Sequence, residues 1–147
     1  MNMSNPILEW MQENIGKSMG EGAPSPVGRW LNGTLRDAQE GALVADFVVR
    51  PEMTNPVGLL HGGMIATIMD DFIGATIIAL GRDGFYTTID LSVDYFASAS
   101  EGEVVTAKTR LVKAGQRVIH GECDLFNAEG RLLARGRTNL LRVQVRE

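Results

Sequence analysis

The chain predicts an α+β fold, an antiparallel sheet wrapped around one long central helix, with a short helix at the N-terminal end. Three observations predict it. The stretch from Met64 to Leu80 is apolar nearly all round, so it must be covered on most sides. Four strand-like segments follow it. Two of their connections, Ala114-Gly115-Gln116 and Ala128-Glu129-Gly130, are too short for helical crossovers, which excludes parallel pairing in this half. With 147 residues the chain is sized for one hydrophobic core, and residues 1–147 read as a single domain.

The elements follow in order. Ile7, Leu8, Met11, Ile15 and Met19 recur at three- and four-residue spacing after Asn5 and Pro6, which suit a helix start, so Pro6 to Met19 predicts an amphipathic helix. After the turn cluster Gly20 to Pro26, Arg29 to Asp37 and Ala42 to Arg50 read as a hairpin around Gln39 to Gly41. Pro51 to Leu60 reads as a loop leading into the long helix, where Met64, Ile65, Ile68, Met69, Phe72, Ile73, Ile77, Ile78 and Leu80 supply the apolar surface. Tyr86 to Phe96, Glu103 to Lys113, Arg117 to Asn127 and Arg131 to Val143 then read as four strands of a meander, with spatial order following sequence order.

Composition excludes several function classes. The chain is 44% hydrophobic and 22% charged, close to globular averages, with a formal charge of −4, so no global field attracts nucleic acid or an anionic membrane. Asp70 and Asp71 interrupt the longest apolar stretch, each costing roughly 2.5 to 3.5 kcal/mol at a bilayer centre, which argues for a core helix and against a membrane span. Met1 to Gly20 has neither a basic start nor an apolar run, and Cys123 is the single cysteine. A cytoplasmic protein without a disulfide framework is expected.

Charge divides unevenly along the chain. Residues 1–107 carry 5 Lys and Arg against 14 Asp and Glu, whereas residues 108–147 carry 9 against 4. Arg131, Arg135 and Arg137 lie at mostly even spacing, hence on one strand face, where they could meet a polyanionic small molecule; a solvated outer face is the favoured reading. The sequence around Gly16-Lys17-Ser18 has Met11 where a phosphate-binding loop needs glycine, and neither a dinucleotide fingerprint nor a nucleophile elbow occurs. Two histidines and one cysteine give no supported metal site, and no cofactor is called for.

Chemistry concentrates in Asn55-Pro56-Val57-Gly58-Leu59-Leu60-His61-Gly62-Gly63 and the helix after it. Two glycines at a helix start leave N–H groups open beside the positive end of the helix dipole, a geometry suited to an oxyanion or simply to close packing. Asp70 stands about two turns into an apolar helix, where a carboxylate needs partners and is a functional candidate; the alternative is that Asp70 and Asp71 point through a gap in the sheet or hold a loop by accepting its N–H groups. Gly62 and Asp70 are eight residues apart, about 12 Å along the axis at 1.5 Å per residue, so one acyl carbonyl cannot touch both. If both act on one carbon they come from different copies of the chain, and a symmetric dimer holds two composite sites.

The run His61-Gly62-Gly63-Met64-Ile65-Ala66-Thr67-Ile68-Met69-Asp70 resembles the signature of hotdog-fold acyl-CoA thioesterases of the phenylacetate-degradation (PaaI-like) type. Asn55, Thr88, the Asp90 to Tyr95 strand and the Gly130 to Thr138 strand fall where that family has counterparts, so similarity runs from about Asn55 to Val143; the N-terminal third fits in layout alone. The resemblance implies that Asp70 acts as general base or nucleophile and that the Gly62 N–H polarises the thioester carbonyl. It implies that Asn55 orients water or thioester, that His61 supports the loop and the oxyanion site, that Thr88 hydrogen-bonds the water or carboxylate, and that Asp71 rather than Asp70 takes the structural, loop-holding role. An acyl-CoA substrate and a homo-oligomer, a dimer or dimer of dimers, come with it. Period-2 alternation meanwhile places Thr88 with Asp90 and Ser92, opposite Ile89, Leu91 and Val93. Met69, Phe72, Phe85 and Tyr86 are candidates to line an acyl or aryl pocket.

One carboxylate and one oxyanion donor suffice for thioester hydrolysis without a cofactor. Two rivals remain at this level. A hotdog hydratase or dehydratase would pair a His with an acid, whereas His61 reads as structural; a non-catalytic acyl-CoA-binding protein would bind without releasing thiol.

Overall fold

The computed structural model describes residues 4–145. Helix α1 (Pro6–Glu13) starts at Asn5, whose Oδ1 accepts the Leu8 N–H, and Asn5 Nδ2 also donates to the Ala79 carbonyl at 2.8 Å. The helix is shorter than the expected Pro6 to Met19. Gly16 turns to a φ of 88°, which favours glycine, and the chain then pairs with the next strand through Gly16 N–H to Leu35 O and Met19 N–H to Gly33 O.

Helix α2 (Pro26–Leu31) replaces the start of the expected first strand. Ser25 caps it by accepting the Gly28 N–H, Pro26 opens it, and Asn32 closes it in the left-handed conformation. Those caps outweigh a strand reading of Arg29 to Leu31. Strand β1 (Thr34–Gln39) therefore begins five residues later than Arg29, and it forms the expected hairpin with β2 (Ala42–Val48). A single 3-10 turn, Pro51–Met53, interrupts the following loop.

Helix α3 (Gly62–Ile78) is followed by β3 (Phe85–Tyr95), β4 (Val104–Ala114), β5 (Val118–Phe126) and β6 (Leu132–Val143). All six strands form one antiparallel sheet in the order β1-β2-β4-β5-β6-β3. The expected sequential meander is thus right for β4-β5-β6 and wrong for β3, which pairs with β6. The two tight turns hold β4, β5 and β6 together, but residues 96–103 between β3 and β4 are long enough to cross the sheet, leaving β4 to pair with β2.

The sheet curves around α3 in the hotdog arrangement that the signature implied. Ile65, Ile68, Met69, Phe72, Ile73 and Thr76 are buried against Val105, Ala107, Ile119, Leu125 and Leu133. Two glycines let the sheet approach this closely: a Cβ at Gly121 would stand 2.8 Å from Ile73, and one at Gly136 2.6 Å from the sulfur of Met69. Thr76 and Thr109, buried between helix and sheet, bond to each other at 2.6 Å, while Thr109 accepts the Leu43 N–H and Thr76 bonds the Phe72 carbonyl. No buried side-chain nitrogen or oxygen is left unpaired among the described residues.

Candidate active site

Asn55 builds the loop before α3. Its Oδ1 accepts the N–H groups of Val57 and Leu59, each at 3.1 Å, and its own N–H reaches Leu59 O. That leaves Nδ2 as the side-chain group free to meet a ligand. His61 is the N-cap of α3: Nδ1 accepts the Gly63 N–H at 2.9 Å, which puts the proton of a neutral ring on Nε2. Its carbonyl takes the N–H groups of Met64 and Ile65. Gly62 then begins the helix with an N–H that has no acceptor among the described residues, one of the orphan donors of a first turn. The Gly62 carbonyl accepts the Tyr95 hydroxyl at 2.7 Å, so the end of β3 fixes the helix entry.

Two turns on, Asp70 meets the middle of β3. Thr88 Oγ1 donates to Asp70 Oδ1 at 2.7 Å, which corrects the face expected for Thr88. The pairing with β6 runs Thr88 to Leu140 and then Asp90 to Asn139, so Ile89 is an extra residue, a β-bulge, and is 57% exposed. Past the bulge the alternation changes phase. Tyr86 and Thr88 face α3, as do the half-buried Leu91 and Val93 beyond it. The Asp90 carboxylate holds the bulge by accepting both the backbone N–H of Asn139, at 3.0 Å, and its Nδ2, at 3.1 Å.

Asp71, the next residue on the helix, turns to the other side. Ser25 donates a hydrogen bond to its Oδ1 while capping α2, so this half-buried carboxylate ties the N-terminal helices to α3. Burial raises its pKa above the ordinary aspartate range, and the negative charge of Asp70 pushes the same way against the Ser25 hydrogen bond. Asp71 thus takes the structural role that the resemblance implied, holding Ser25 through its hydroxyl rather than through loop N–H groups.

Asp70 opens on a cavity of about 300 Å³ between the C-terminal half of α3 and the start of β3, walled by Gly74, Ile77, Ile78, Phe85 and Tyr86. On the helix's N-terminal side a more open hollow of about 310 Å³, bordered by Ala66, Thr67 and Leu91, also reaches Asp70. Of the aromatic and apolar candidates, Phe85 and Tyr86 line the cavity, whereas Met69 and Phe72 are core residues.

Within one chain the five site candidates fall into two groups. Asp70 and Thr88 are in contact; Asn55, His61 and Gly62 cluster at the helix start, about 12 Å away along the axis. Tyr95 and the Ser25–Asp71 pair were not foreseen. Tyr95 carries no signal beyond its place on a strand end, whereas the Ser25-Pro26 cap was readable. Of the arginine face, Arg135 makes a two-pronged contact with Asp124 and Arg137 lies 3.8 Å from Asp94, while Arg131 has no ion-pair partner among the described residues; on β4, Arg110 pairs with Glu122. Among the described residues no group of three or more His, Cys, Asp and Glu side chains is placed to hold a metal, and no helix is long and apolar enough to cross a membrane.

Against known proteins, the model of the thioesterase superfamily matches residues 57–134. Acyl-coenzyme A thioesterase 13 of Homo sapiens is 31% identical over 105 residues, which cover 71% of this chain and 75% of that protein. The crystal structure of a hypothetical thioesterase protein with coenzyme A from Streptococcus pneumoniae TIGR4 superposes with a TM-score of 0.72 at 27% identity, covering 79% of this chain and 89% of the other. The E. coli PaaI protein from the phenylacetic acid degradation operon gives a TM-score of 0.79 over 96% and 97% of the two chains; at 16% identity this likeness concerns the fold alone.

Proposed function

This chain belongs to the thioesterase superfamily, and we propose that it hydrolyses an acyl- or aryl-acyl-CoA thioester to the free acid and CoA, with Asp70 activating water. The contact between Thr88 and Asp70 carries the reading. Thr88 occupies Oδ1 and fixes the carboxylate at the mouth of an apolar cavity, which leaves Oδ2 to accept one proton. A water hydrogen-bonded there attacks the thioester carbonyl as its proton passes to Asp70. The C–S bond of the tetrahedral intermediate then breaks, CoA leaves as its thiolate, and Asp70 returns the proton.

The oxyanion of that intermediate takes the Gly62 N–H, the unsatisfied donor at the positive end of α3. Because Gly62 and Asp70 stand about 12 Å apart along one helix, their acting on one carbonyl calls for groups from two copies of the chain. His61 holds that donor's turn, and Asn55 shapes the loop and presents Nδ2. A second copy has a surface to use: β3 is an edge strand of 11 residues with exposed Phe85, Ile89 and Tyr95, a template for pairing. We place the protein in the cytoplasm as a dimer or dimer of dimers.

Thiol release from acetyl-, octanoyl- and phenylacetyl-CoA tests the proposal. Wild-type turnover is expected, with a fall in kcat of at least about a hundredfold in Asp70→Asn at unchanged oligomeric state. Acyl-CoA binding without thiol release by the wild type would replace hydrolysis with a binding role.

A further inference from the structure

The cavity beside Asp70 contains a glycine that nothing in the fold requires. Gly74 sits in the interior of α3, where glycine is the poorest helix former after proline. Among the described residues every other glycine either holds a positive φ or has a neighbour within 4 Å of where a Cβ would stand. Gly74 has helical backbone and open space at that point, and the open space is the cavity. It lies four residues after Asp70, on the same face of the helix and one turn deeper.

The geometry points to Gly74 as the residue that sets the width of the acyl site, keeping room beside Asp70 for a medium-chain or aryl acyl group. The size and chemistry of the walls define that class. About 300 Å³ is at the lower end of small-molecule sites, enough for an acyl arm but not for CoA. Ile77, Ile78, Phe85 and the ring of Tyr86 offer apolar contact. Most polar side chains that line it are already engaged: the Tyr86 hydroxyl donates to Gln116 O at 2.9 Å, Arg82 donates to the carbonyls of Ala114 and Gly115, Ser25 donates to Asp71 and Thr88 to Asp70, which leaves Thr87 as the lining hydroxyl without a partner among the described residues. An unsubstituted apolar group fits such a lining better than one with a polar end.

This inference rests on the hydrolase reading, and its test separates the two. Gly74→Leu fills the cavity from a helix position that tolerates side chains, and Gly74→Ala adds one methyl with a better helix former. For Gly74→Leu, kcat/KM is expected to fall at least about thirtyfold with octanoyl- and phenylacetyl-CoA and to stay within about threefold with acetyl-CoA; Gly74→Ala falls between. An equal loss on all three substrates, or an unchanged preference, overturns the inference. So does dissociation of the oligomer by Gly74→Leu in sedimentation, because the glycine would then serve close subunit approach. Calorimetric binding of octanoyl-CoA to Asp70→Asn, with and without Gly74→Leu, reads the cavity independently of turnover. Binding weakened at least about tenfold by the added leucine supports the acyl site even if hydrolysis fails; equal binding overturns it.

Discussion

Replacing Gly62 by proline removes one N–H and little else. Proline is well tolerated at the first position of a helix, where the N–H has no intrahelical acceptor. The residue before it must be extended, and His61 already has φ −62° and ψ 136°. A Cβ at Gly62 meets the Tyr95 ring at 3.5 Å, ordinary contact, and the carbonyl that accepts the Tyr95 hydroxyl remains. Stability should hold or rise by about 0.4 to 1 kcal/mol, because proline restricts the unfolded chain. If this N–H binds the oxyanion, kcat falls about 10²- to 10³-fold, the loss of about 2.7 to 4 kcal/mol in the transition state. Co-refolding Gly62→Pro with Asp70→Asn then tests the composite site. A mixed dimer carries one doubly defective and one intact site, so random assortment restores about a quarter of wild-type sites. Thiol release and a thermal melt read both effects. A variant within threefold of wild type would refute the oxyanion role, and no recovery in a proven mixed dimer would refute the two-copy site.

Three further outcomes are expected. Thr88→Val removes the bond to the Asp70 carboxylate and should reduce kcat about ten- to a hundredfold, the range for a hydrogen bond to a charged group, while Thr88→Ser retains most activity; steady-state thiol release checks both. Asp71 has a raised pKa in the folded state, so between about 3.9, its unfolded value, and that raised pKa the native state keeps a proton the unfolded chain has lost. Its contribution to stability is therefore full at low pH and declines as pH rises through the folded pKa. The stability of Asp71→Asn relative to wild type should increase between pH 3.5 and 7 in urea melts, and a decrease would contradict the burial argument. Cys123 is fully buried with its thiol pushed well above the ordinary range, so a maleimide should label it in denaturant and leave the native protein unmodified.

What could be read from the sequence depended on how strongly each feature repeats along the chain. Helix α3 was legible because apolar residues recur along most of its seventeen residues, and Asp70 because a carboxylate is conspicuous among them. Tight turns made β4-β5-β6 legible. The place of β3 was not, because residues 96–103 carry no marker that separates a crossing from a long hairpin loop. Helix α2 spans six residues, too few for periodicity to outvote strand formers, although Ser25, Pro26 and Asn32 marked both of its ends.

Thr88 shows why the site itself is the hardest part to derive. Strict alternation sends it away from α3, and no glycine in Thr87-Thr88-Ile89-Asp90 announces a bulge. The bulge depends on a contact across the sheet, the Asp90 carboxylate binding both nitrogens of Asn139, residues 49 positions apart. With that contact in place, Ile89 stands exposed and Thr88 faces Asp70. A local rule is thus broken by a distant pair at the point where a carboxylate must be aimed, the pattern expected when a functional geometry departs from regular structure. Asp90 and Asn139 accordingly act on the candidate site through Thr88 rather than by touching substrate. Their loss should move kcat in the same direction as Thr88→Val, and should add little to it in a double variant.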